Sequence, residues 1–182
     1  QFKNPKYKGS TNTSNFVTDN LYMGGYPSNK EDVDKFLSIG INTFVCLNGA
    51  DKKQFYKYED DLPKNINYIN EPIQDMNITT DEKIMSLCQN IIHQIKVKGN
   101  KIYVHCAGGH GRTGTVVGCL LYLLYNLSFE QILNYLQFTH DQREGNFFGN
   151  FYYTHYLNSN NPFKKCYVLG QVPVPQKEIQ ID

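Results

Sequence analysis

The 182-residue sequence contains no tryptophan, and only two of its 18 basic residues are arginines, Arg112 and Arg143. Its 17 acidic residues leave a formal net charge of only +1 at pH 7. Proteins that bind nucleic acid or other polyanions over a broad surface normally carry a large basic excess. We therefore expect no nucleic-acid partner.

Ordered cysteine patterns and long apolar runs are absent as well. The five cysteines are odd in number and irregularly spaced, and none forms a CxxC pair or a zinc-like cluster with histidine. The longest apolar stretch, residues 115–125, is too short to cross a bilayer, and the first residues lack the apolar segment of a secretory signal. We predict reduced thiols in a cytoplasmic monomer that has no membrane span, metal or cofactor.

The length of the chain suits a single domain. We predict a polar N-terminal arm at residues 1–14, a catalytic domain at 15–158 and a proline-containing C-terminal tail at 159–182. Strand and helix signals alternate within the domain. This alternation predicts an α/β fold in which helices flank a central, mostly parallel twisted sheet.

The strand signals are runs of apolar residues, and the continuous run at 41–47 is typical of a strand covered on both faces. The helix signals are apolar residues at helical spacing, bounded by polar caps and glycines. The predicted strands are 20–24, 41–47, 66–73 and 101–105. The predicted helices run from Ser28 to Gly40, from Thr79 to Gly99, over 113–125, and over 129–138 with Ser128 as the cap.

The most unusual junction between a strand and a helix is KIYVHCAGGHGRTGTVVGC. Three glycines lie in its loop, residues 106–112, where they let the backbone curl and turn its N–H groups inward. The next helix aims the positive end of its dipole at the same point, and Arg112 adds a planar, two-pronged donor. The loop is therefore predicted to bind a phosphate or sulfate group through Ala107, Gly108, Gly109, His110, Gly111 and Arg112.

Cys106, at the start of this loop, adds a nucleophile to the predicted anion site. Inward N–H groups, a helix N-terminus and a guanidinium favour a thiolate, which can attack a bound phosphorus. We expect His105 to orient the site through a hydrogen bond, and Thr113 to donate to the sulfur and help it leave. The nucleotide-binding motif GxxxxGK[ST] is excluded, because this loop contains no lysine.

The segment HCAGGHGRTG resembles the HCxxGxxR[ST] phosphate-binding loop of the cysteine-based protein tyrosine phosphatase superfamily. LYMGGYPSNKEDVDKFLSIGINTFVCLN resembles the first strands and helix of the small dual-specificity members, and the likeness extends over residues 15–157. It implies a phosphatase fold, phosphoryl transfer to Cys106 and hydrolysis of a cysteinyl-phosphate by water. The larger tyrosine-specific relatives usually begin their acid loop with Trp-Pro-Asp, where this chain has Ile73-Gln74-Asp75.

The resemblance also implies a general acid on a loop about thirty residues before the cysteine. Asp75 has this spacing and follows a predicted strand. Asp81 is the alternative, although a carboxylate in the first turn of a helix ordinarily interacts with the helix dipole. Family members frequently carry a later glutamine that places the hydrolytic water, but Gln142 comes early, so that role is unassigned.

The leading hypothesis is a phosphatase that acts on protein phosphotyrosine, with phosphoserine and phosphothreonine as further candidate substrates. Phosphoinositide phosphatases of the superfamily usually carry lysines in the loop, where this chain has Ala107 and His110. The low net charge disfavours an RNA 5′-triphosphatase. A pseudophosphatase that binds phosphorylated partners stays open, although Cys106, Arg112 and Asp75 are all present.

Several polar residues outside the loop are predicted to have no role in the site. Arg143 is interpreted as a surface charge. The alternative is that it braces its segment through an ion pair, with Asp141 as the partner. His140 is read as a lone histidine, because it lacks metal-ligand spacing. Tyr58 is placed in a solvated loop or at an entrance to the site.

Overall fold

The computed structural model describes residues 4–144. The strands are β1 (Ser14–Thr18), β2 (Leu21–Gly24), β3 (Thr43–Asn48), β4 (Asn67–Ile73) and β5 (Ile102–His105). The helices are α1 (Lys30–Ser38), α2 (Asp81–Lys96), α3 (Gly111–Tyr125) and α4 (Phe129–His140). Short 3-10 turns lie at Pro5–Tyr7, Ala50–Gln54 and Tyr58–Asp61.

The five strands form one sheet in the order β1-β2-β5-β3-β4. Only β1 pairs antiparallel, with β2, and every other pairing is parallel. The prediction of a mostly parallel sheet flanked by helices is therefore confirmed. β1 was not predicted, because its sequence SNFVT is largely polar and lies in a turn-rich segment.

The two faces of the sheet carry separate cores. Side chains of β5 alternate, so that Ile102 and Val104 face the core formed with α2, α3 and α4, while Tyr103 faces the core formed with α1. All six residues of β3 are buried, which agrees with a strand covered on both faces. Parallel strands aligned in this way bring the carboxyl ends of β2, β3 and β5 to one edge of the sheet.

Two helix caps lie one residue later than predicted. Asn29 caps α1 by accepting a hydrogen bond from the N–H of Asp32 at 3.0 Å, while Ser28 donates its own N–H to the Asp32 carboxylate. Thr80 rather than Thr79 caps α2. In each pair of neighbouring polar residues the side chain that reaches the third N–H of the helix becomes the cap. The Ser128 cap of α4 is confirmed.

The first described residues pack against the domain, since Tyr7 is buried against Tyr135 and Phe138 of α4. The predicted boundary between an arm at 1–14 and a domain at 15–158 stays a prediction. Its C-terminal limit and the predicted tail at 159–182 lie outside the described residues. Within residues 4–144, no helix has the length and apolar character needed to cross a membrane.

Candidate active site

A pocket of about 220 Å³ opens where β5 ends and α3 begins. Open α/β sheets bind ligands at this edge, beyond the carboxyl ends of their strands. The pocket is lined by Asp75, Met76, Asn77, Cys106, Ala107, Gly108, His110, Gly111, Arg112 and Thr115. Most of the predicted site residues thus share one pocket, whereas Gly109, His105 and Thr113 lie behind its wall.

The loop that begins at Cys106 lies tightly against the end of β2. Gly109 has a φ of +76°, and a Cβ at this position would lie 2.2 Å from the backbone carbon of Gly24. Only glycine combines this left-handed conformation with such a close approach. Beside it, the N–H of Tyr26 donates to the carbonyl of Ala107 at 3.0 Å.

Arg143 also holds the loop that begins at Cys106. Its side chain donates to the carbonyls of Gly108 at 3.3 Å and Gly109 at 2.9 Å, and to the amide oxygen of Asn15 at 2.7 Å. The residue is only 2% exposed, so the interpretation of Arg143 as a surface charge was wrong. Burial lowers the pKa of Arg143 to about 10, and the group stays protonated at neutral pH.

These contacts orient the N–H groups of the loop. A trans peptide unit points its C=O and N–H in opposite directions. Tyr26 and Arg143, which lie outside the pocket lining, hold the carbonyls of Ala107 and Gly108, so the N–H groups of Gly108 and Gly109 in the same peptide units point away from those two residues. Within the described part of the chain, the N–H groups of Ala107, Gly108 and Gly109 donate to no protein acceptor. The loop therefore presents free donors for an anion.

Arg112 is held by a residue that the sequence reasoning missed. Asp51, just after β3, accepts two hydrogen bonds from Arg112, at 3.0 Å from Nη1 and 2.8 Å from Nη2, and Nη1 also donates to the carbonyl of Ile73 at 2.9 Å. A guanidinium has five N–H donors. These three bonds leave Nε–H and one Nη2–H, which form a second fork suited to a phosphate. The position of Asp51 at the carboxyl end of a buried strand was the available sequence signal.

The ion pair sets the charge of both groups. Hydrogen bonds from Arg112 hold the pKa of Asp51 below its usual range. Burial would lower the pKa of Arg112, but the hydrogen bond to Asp51 and the nearby Cys106, Asp51 and Asp75 raise it overall. Arg112 therefore stays cationic, although its side chain is only 2% exposed.

His105 is buried behind the nucleophile. Its Nδ1–H donates to the carbonyl of Cys106 at 3.1 Å, which leaves Nε2 to accept the hydroxyl hydrogen of Tyr58 at 2.5 Å. We assign this tautomer from the hydrogen-bond network. Burial lowers the pKa of His105 to about 3, so the ring is neutral. Tyr58 is fully buried, and its placement in a solvated loop or at an entrance was wrong.

His110 lines the pocket as expected, and it also contacts a histidine of α4. Its Nε2 lies 2.8 Å from Nε2 of His140, whose Nδ1 lies 3.2 Å from a carboxylate oxygen of Asp141. The interpretation of His140 as a lone histidine was therefore wrong. The chain of contacts extends from the pocket into α4.

Thr113 is buried at the start of α3, and its Oγ1 has no hydrogen-bond partner in the described structure. The predicted donation to the sulfur of Cys106 is not seen. Thr115, which was not predicted, lines the pocket, but its hydroxyl donates to the carbonyl of Gly111 at 2.9 Å. The role of Thr113 stays a prediction.

The two candidate acids occupy different places. Asp75 lines the pocket with a side chain that is 63% exposed, and one of its carboxylate oxygens lies 3.3 Å from Nη2 of Arg112. Asp81 lies in the first turn of α2, outside the pocket lining. Gln142 is buried and donates to the carbonyl of Phe138, so it does not reach the pocket.

Comparison with known proteins places this geometry in a family. The model of the phosphatase domain described as "Swiss Army Knife protein, DSP-PTPase phosphatase domain" matches residues 11–144. The chain belongs to this family. It is a small dual-specificity-phosphatase-like member of the cysteine-based protein tyrosine phosphatase superfamily.

Two curated relatives show how varied the named activities are. Protein 067L of Invertebrate iridescent virus 3, whose name describes a candidate tyrosine phosphatase, is 37% identical over 70% of this chain and 53% of its own length. The phosphatidylglycerophosphate phosphatase PTPMT2 of Arabidopsis thaliana is 30% identical over 58% of this chain and 45% of its own length. The chain thus spans about half the length of these relatives.

Solved structures share the fold of this chain at low sequence identity. Tk-PTP in its active form superposes with a TM-score of 0.60 and 21% identity, covering 73% of this chain and 86% of that chain. PTPMT1 in complex with PI(5)P gives a TM-score of 0.58 and 13% identity over 72% of this chain and 92% of that chain.

Proposed function

We propose that this phosphatase hydrolyses phosphotyrosine in proteins through a cysteinyl-phosphate on Cys106. The observation that carries the proposal is that Cys106 shares one pocket with free loop N–H donors, with Asp75 and with Arg112, whose Nε–H and second Nη2–H are not bonded to Asp51 or Ile73. Electrostatic stabilisation of the transferring phosphoryl group by such fixed donors is usually the largest contribution to catalysis.

In the first step, the sulfur of Cys106 forms a bond to phosphorus while the bond from phosphorus to the tyrosyl oxygen breaks. Asp75 gives its proton to that oxygen, and tyrosine leaves. The N–H groups of the loop and the Nε–H and Nη2–H fork of Arg112 hold the three remaining phosphoryl oxygens. Asp75 lies next to this fork, where a phosphate oxygen would bind.

In the second step, water attacks phosphorus and the bond from sulfur to phosphorus breaks. Asp75, now a carboxylate, takes the proton from water, so that phosphate and the thiolate of Cys106 are released. We propose that the hydroxyl of Thr113 donates a hydrogen bond to the departing sulfur and so stabilises the thiolate. Its buried Oγ1 has no other partner among the described residues, which supports this assignment.

Phosphotyrosine is chosen for two reasons: the residue types in the phosphate-binding loop and the name of the viral relative 067L. Ala107 and His110 line the pocket where lysines would serve a second phosphate on the same ring. The name of the viral relative 067L points to tyrosine phosphatase activity in that protein. A phosphoinositide or related phospholipid headgroup is the second candidate, because one relative is named a phosphatidylglycerophosphate phosphatase and PTPMT1, solved in complex with PI(5)P, shares this fold.

A substrate panel separates these possibilities. The full chain should cleave phosphotyrosine peptides with higher kcat/KM than soluble short-chain phosphoinositides or phosphothreonine peptides. Cys106→Ser should abolish turnover of p-nitrophenyl phosphate. A parent enzyme that binds phosphotyrosine peptides without hydrolysing any of these substrates would instead be a pseudophosphatase. Preference for phosphoinositides would overturn the proposed substrate.

Substitution of the two candidate acids tests the assignment of Asp75. Asp75→Asn should lower kcat about 10²-fold or more for phenyl phosphate, whose leaving group needs a proton, and far less for p-nitrophenyl phosphate. Asp81→Asn is the matched control and should behave like the parent. Equal losses on both substrates in Asp75→Asn, or the larger loss in Asp81→Asn, would refute the assignment.

A further inference from the structure

A second pocket lies beside the pocket that contains Cys106, which we call the phosphate pocket. It has a volume of about 490 Å³ and follows the end of β3, and we call it the lysine pocket. Its walls include Tyr26, Ala50, Lys52, Lys53, Phe55 and Lys57. Nothing in the proposed chemistry at Cys106 uses it.

The two pockets share their dividing wall. Tyr26 lines the lysine pocket, and its N–H donates to the carbonyl of Ala107, which lines the phosphate pocket. Asp51, between two residues of the lysine pocket, holds the guanidinium of Arg112. A single extended substrate can therefore place one group in each pocket.

The lining of the lysine pocket combines positive charge with an aromatic face. Among residues 4–144, three lysines line it and no carboxylate does. Lys52 pairs with Glu59, and Lys57 lies 3.5 Å from a carboxylate oxygen of Asp60 in an exposed pair. Lys53 is exposed and has no ion-pair partner among the described residues. The rings of Tyr26 and Phe55 stack with centroids 4.6 Å apart.

We propose that the lysine pocket binds an acidic side chain close to the phosphotyrosine in a peptide substrate, an inference that rests on the proposed function. Lys53 and Lys57 attract the carboxylate, and the stacked rings contact its aliphatic carbons. Both lysines lie outside the phosphate-binding loop, across the wall formed by Tyr26 and Ala107. This separation suits two residues of an extended peptide better than two phosphates on one compact ring.

The test compares two phosphotyrosine peptides that differ only in having glutamate or glutamine at the positions flanking the phosphotyrosine. The measured quantity is the ratio of kcat/KM for the two peptides, which does not depend on the fraction of folded enzyme. We expect the parent to prefer the acidic peptide about fivefold at low salt, since exposed ion pairs are individually weak. The preference should shrink as the salt concentration rises.

Lys53→Glu should remove or invert this preference, and Lys57→Glu should reduce it. Lys98→Glu is the matched control, because it makes the same change of charge on an exposed lysine after α2, at the opposite edge of the sheet. It should keep the parental ratio. Equal ratios in the parent, Lys53→Glu and Lys98→Glu would overturn the inference.

The same data distinguish failure of the inference from failure of the proposed function. If neither phosphotyrosine peptide is cleaved, the proposed function is wrong. If both are cleaved at the same rate, only the lysine pocket proposal is wrong. If a soluble short-chain phosphoinositide is cleaved and Lys53→Glu lowers that rate while peptides are spared, the pocket serves a headgroup and the peptide assignment is overturned.

Discussion

Replacement of Arg143 by methionine tests whether this buried side chain orients the phosphate-binding loop. Methionine keeps an unbranched side chain but has no donors, so the carbonyls of Gly108 and Gly109 and the amide of Asn15 lose their partner. Gly108 is exposed, and water can replace the lost bond there. Asn15 and Gly109 are buried, and each unsatisfied acceptor costs about 1–3 kcal/mol. Relief from burying a charge offsets part of this cost.

We therefore expect Arg143→Met to lower the free energy of unfolding by about 3 kcal/mol, a loss that a typical domain survives. The larger effect should be on the anion site, because the N–H groups that follow Gly108 and Gly109 lose their fixed orientation. Loss of one oxyanion donor lowers kcat by about 10²-fold or more in other enzymes, and we expect a decrease of similar size here. Inorganic phosphate should also bind more weakly.

The assay is urea unfolding, followed by circular dichroism, with and without phosphate. Phosphate that binds only the folded protein stabilises it by RT ln(1 + [phosphate]/Kd), so the parent should gain stability and Arg143→Met, with its larger Kd, should gain little. Arg143→Lys keeps the charge without the planar fork and should be intermediate. Ile91→Ala, a buried change in α2 that costs about 2–5 kcal/mol, controls for stability alone and should keep the parental gain. A full gain from phosphate in Arg143→Met would refute the reasoning.

Three other substitutions test the remaining contacts. His105→Gln should flatten the acid dependence of stability, because the buried ring has a pKa of about 3. The unfolded chain binds the proton first, so the parent should lose about 1.4 kcal/mol per pH unit as the pH falls from about 6.5 to about 3. Asp51→Asn should lower kcat/KM about tenfold or more, since the amide keeps one acceptor oxygen, so Arg112 loses one of its two bonds and the opposite charge that holds it. Gly109→Ala should cost far more stability than Gly99→Ala, because φ is positive at both but a Cβ meets backbone only at Gly109.

Each of these predictions has a result that would contradict it. A slope in His105→Gln equal to that of the parent would contradict the buried neutral ring. Asp34→Asn, on the surface of α1, is the control and should keep the parental kcat/KM. A parental kcat/KM in Asp51→Asn would contradict the role of Asp51 in holding Arg112. Equal free energies of unfolding in Gly109→Ala and Gly99→Ala would show that the close approach of Gly109 to Gly24 does not determine the cost of the added side chain.

The fold was largely predictable because its signals are local. Apolar runs and helical spacing located four of the five strands and all four helices, while β1 was missed because a short polar strand is defined by the neighbour with which it pairs. The caps shifted by one residue for a similar reason. Where two polar residues precede a helix, backbone geometry decides between them, and the sequence pattern does not.

The residues of the site that are contiguous in sequence were predictable, and those that come from distant segments were not. Cys106, the loop and Arg112 are contiguous, so their residue types and order carried the prediction. The side chains that hold them come from far along the chain: Asp51 is 61 residues from Arg112, Tyr58 is 47 from His105, and Arg143 is 34 from Gly109 and 128 from Asn15. Contacts of this kind depend on how the elements pack, and a single sequence does not record that packing.

The two arginines show what that packing adds to the composition. Three N–H groups of Arg112 donate to Asp51 and Ile73. The two that remain, Nε–H and one Nη2–H, are left for a ligand in the pocket that Arg112 lines. Arg143 serves three acceptors on the other side of the same loop. Both positions require several coplanar donors on one side chain, which a lysine ammonium does not offer. A rare arginine in a lysine-rich chain is therefore a better candidate for a structural or catalytic contact than for a solvated charge.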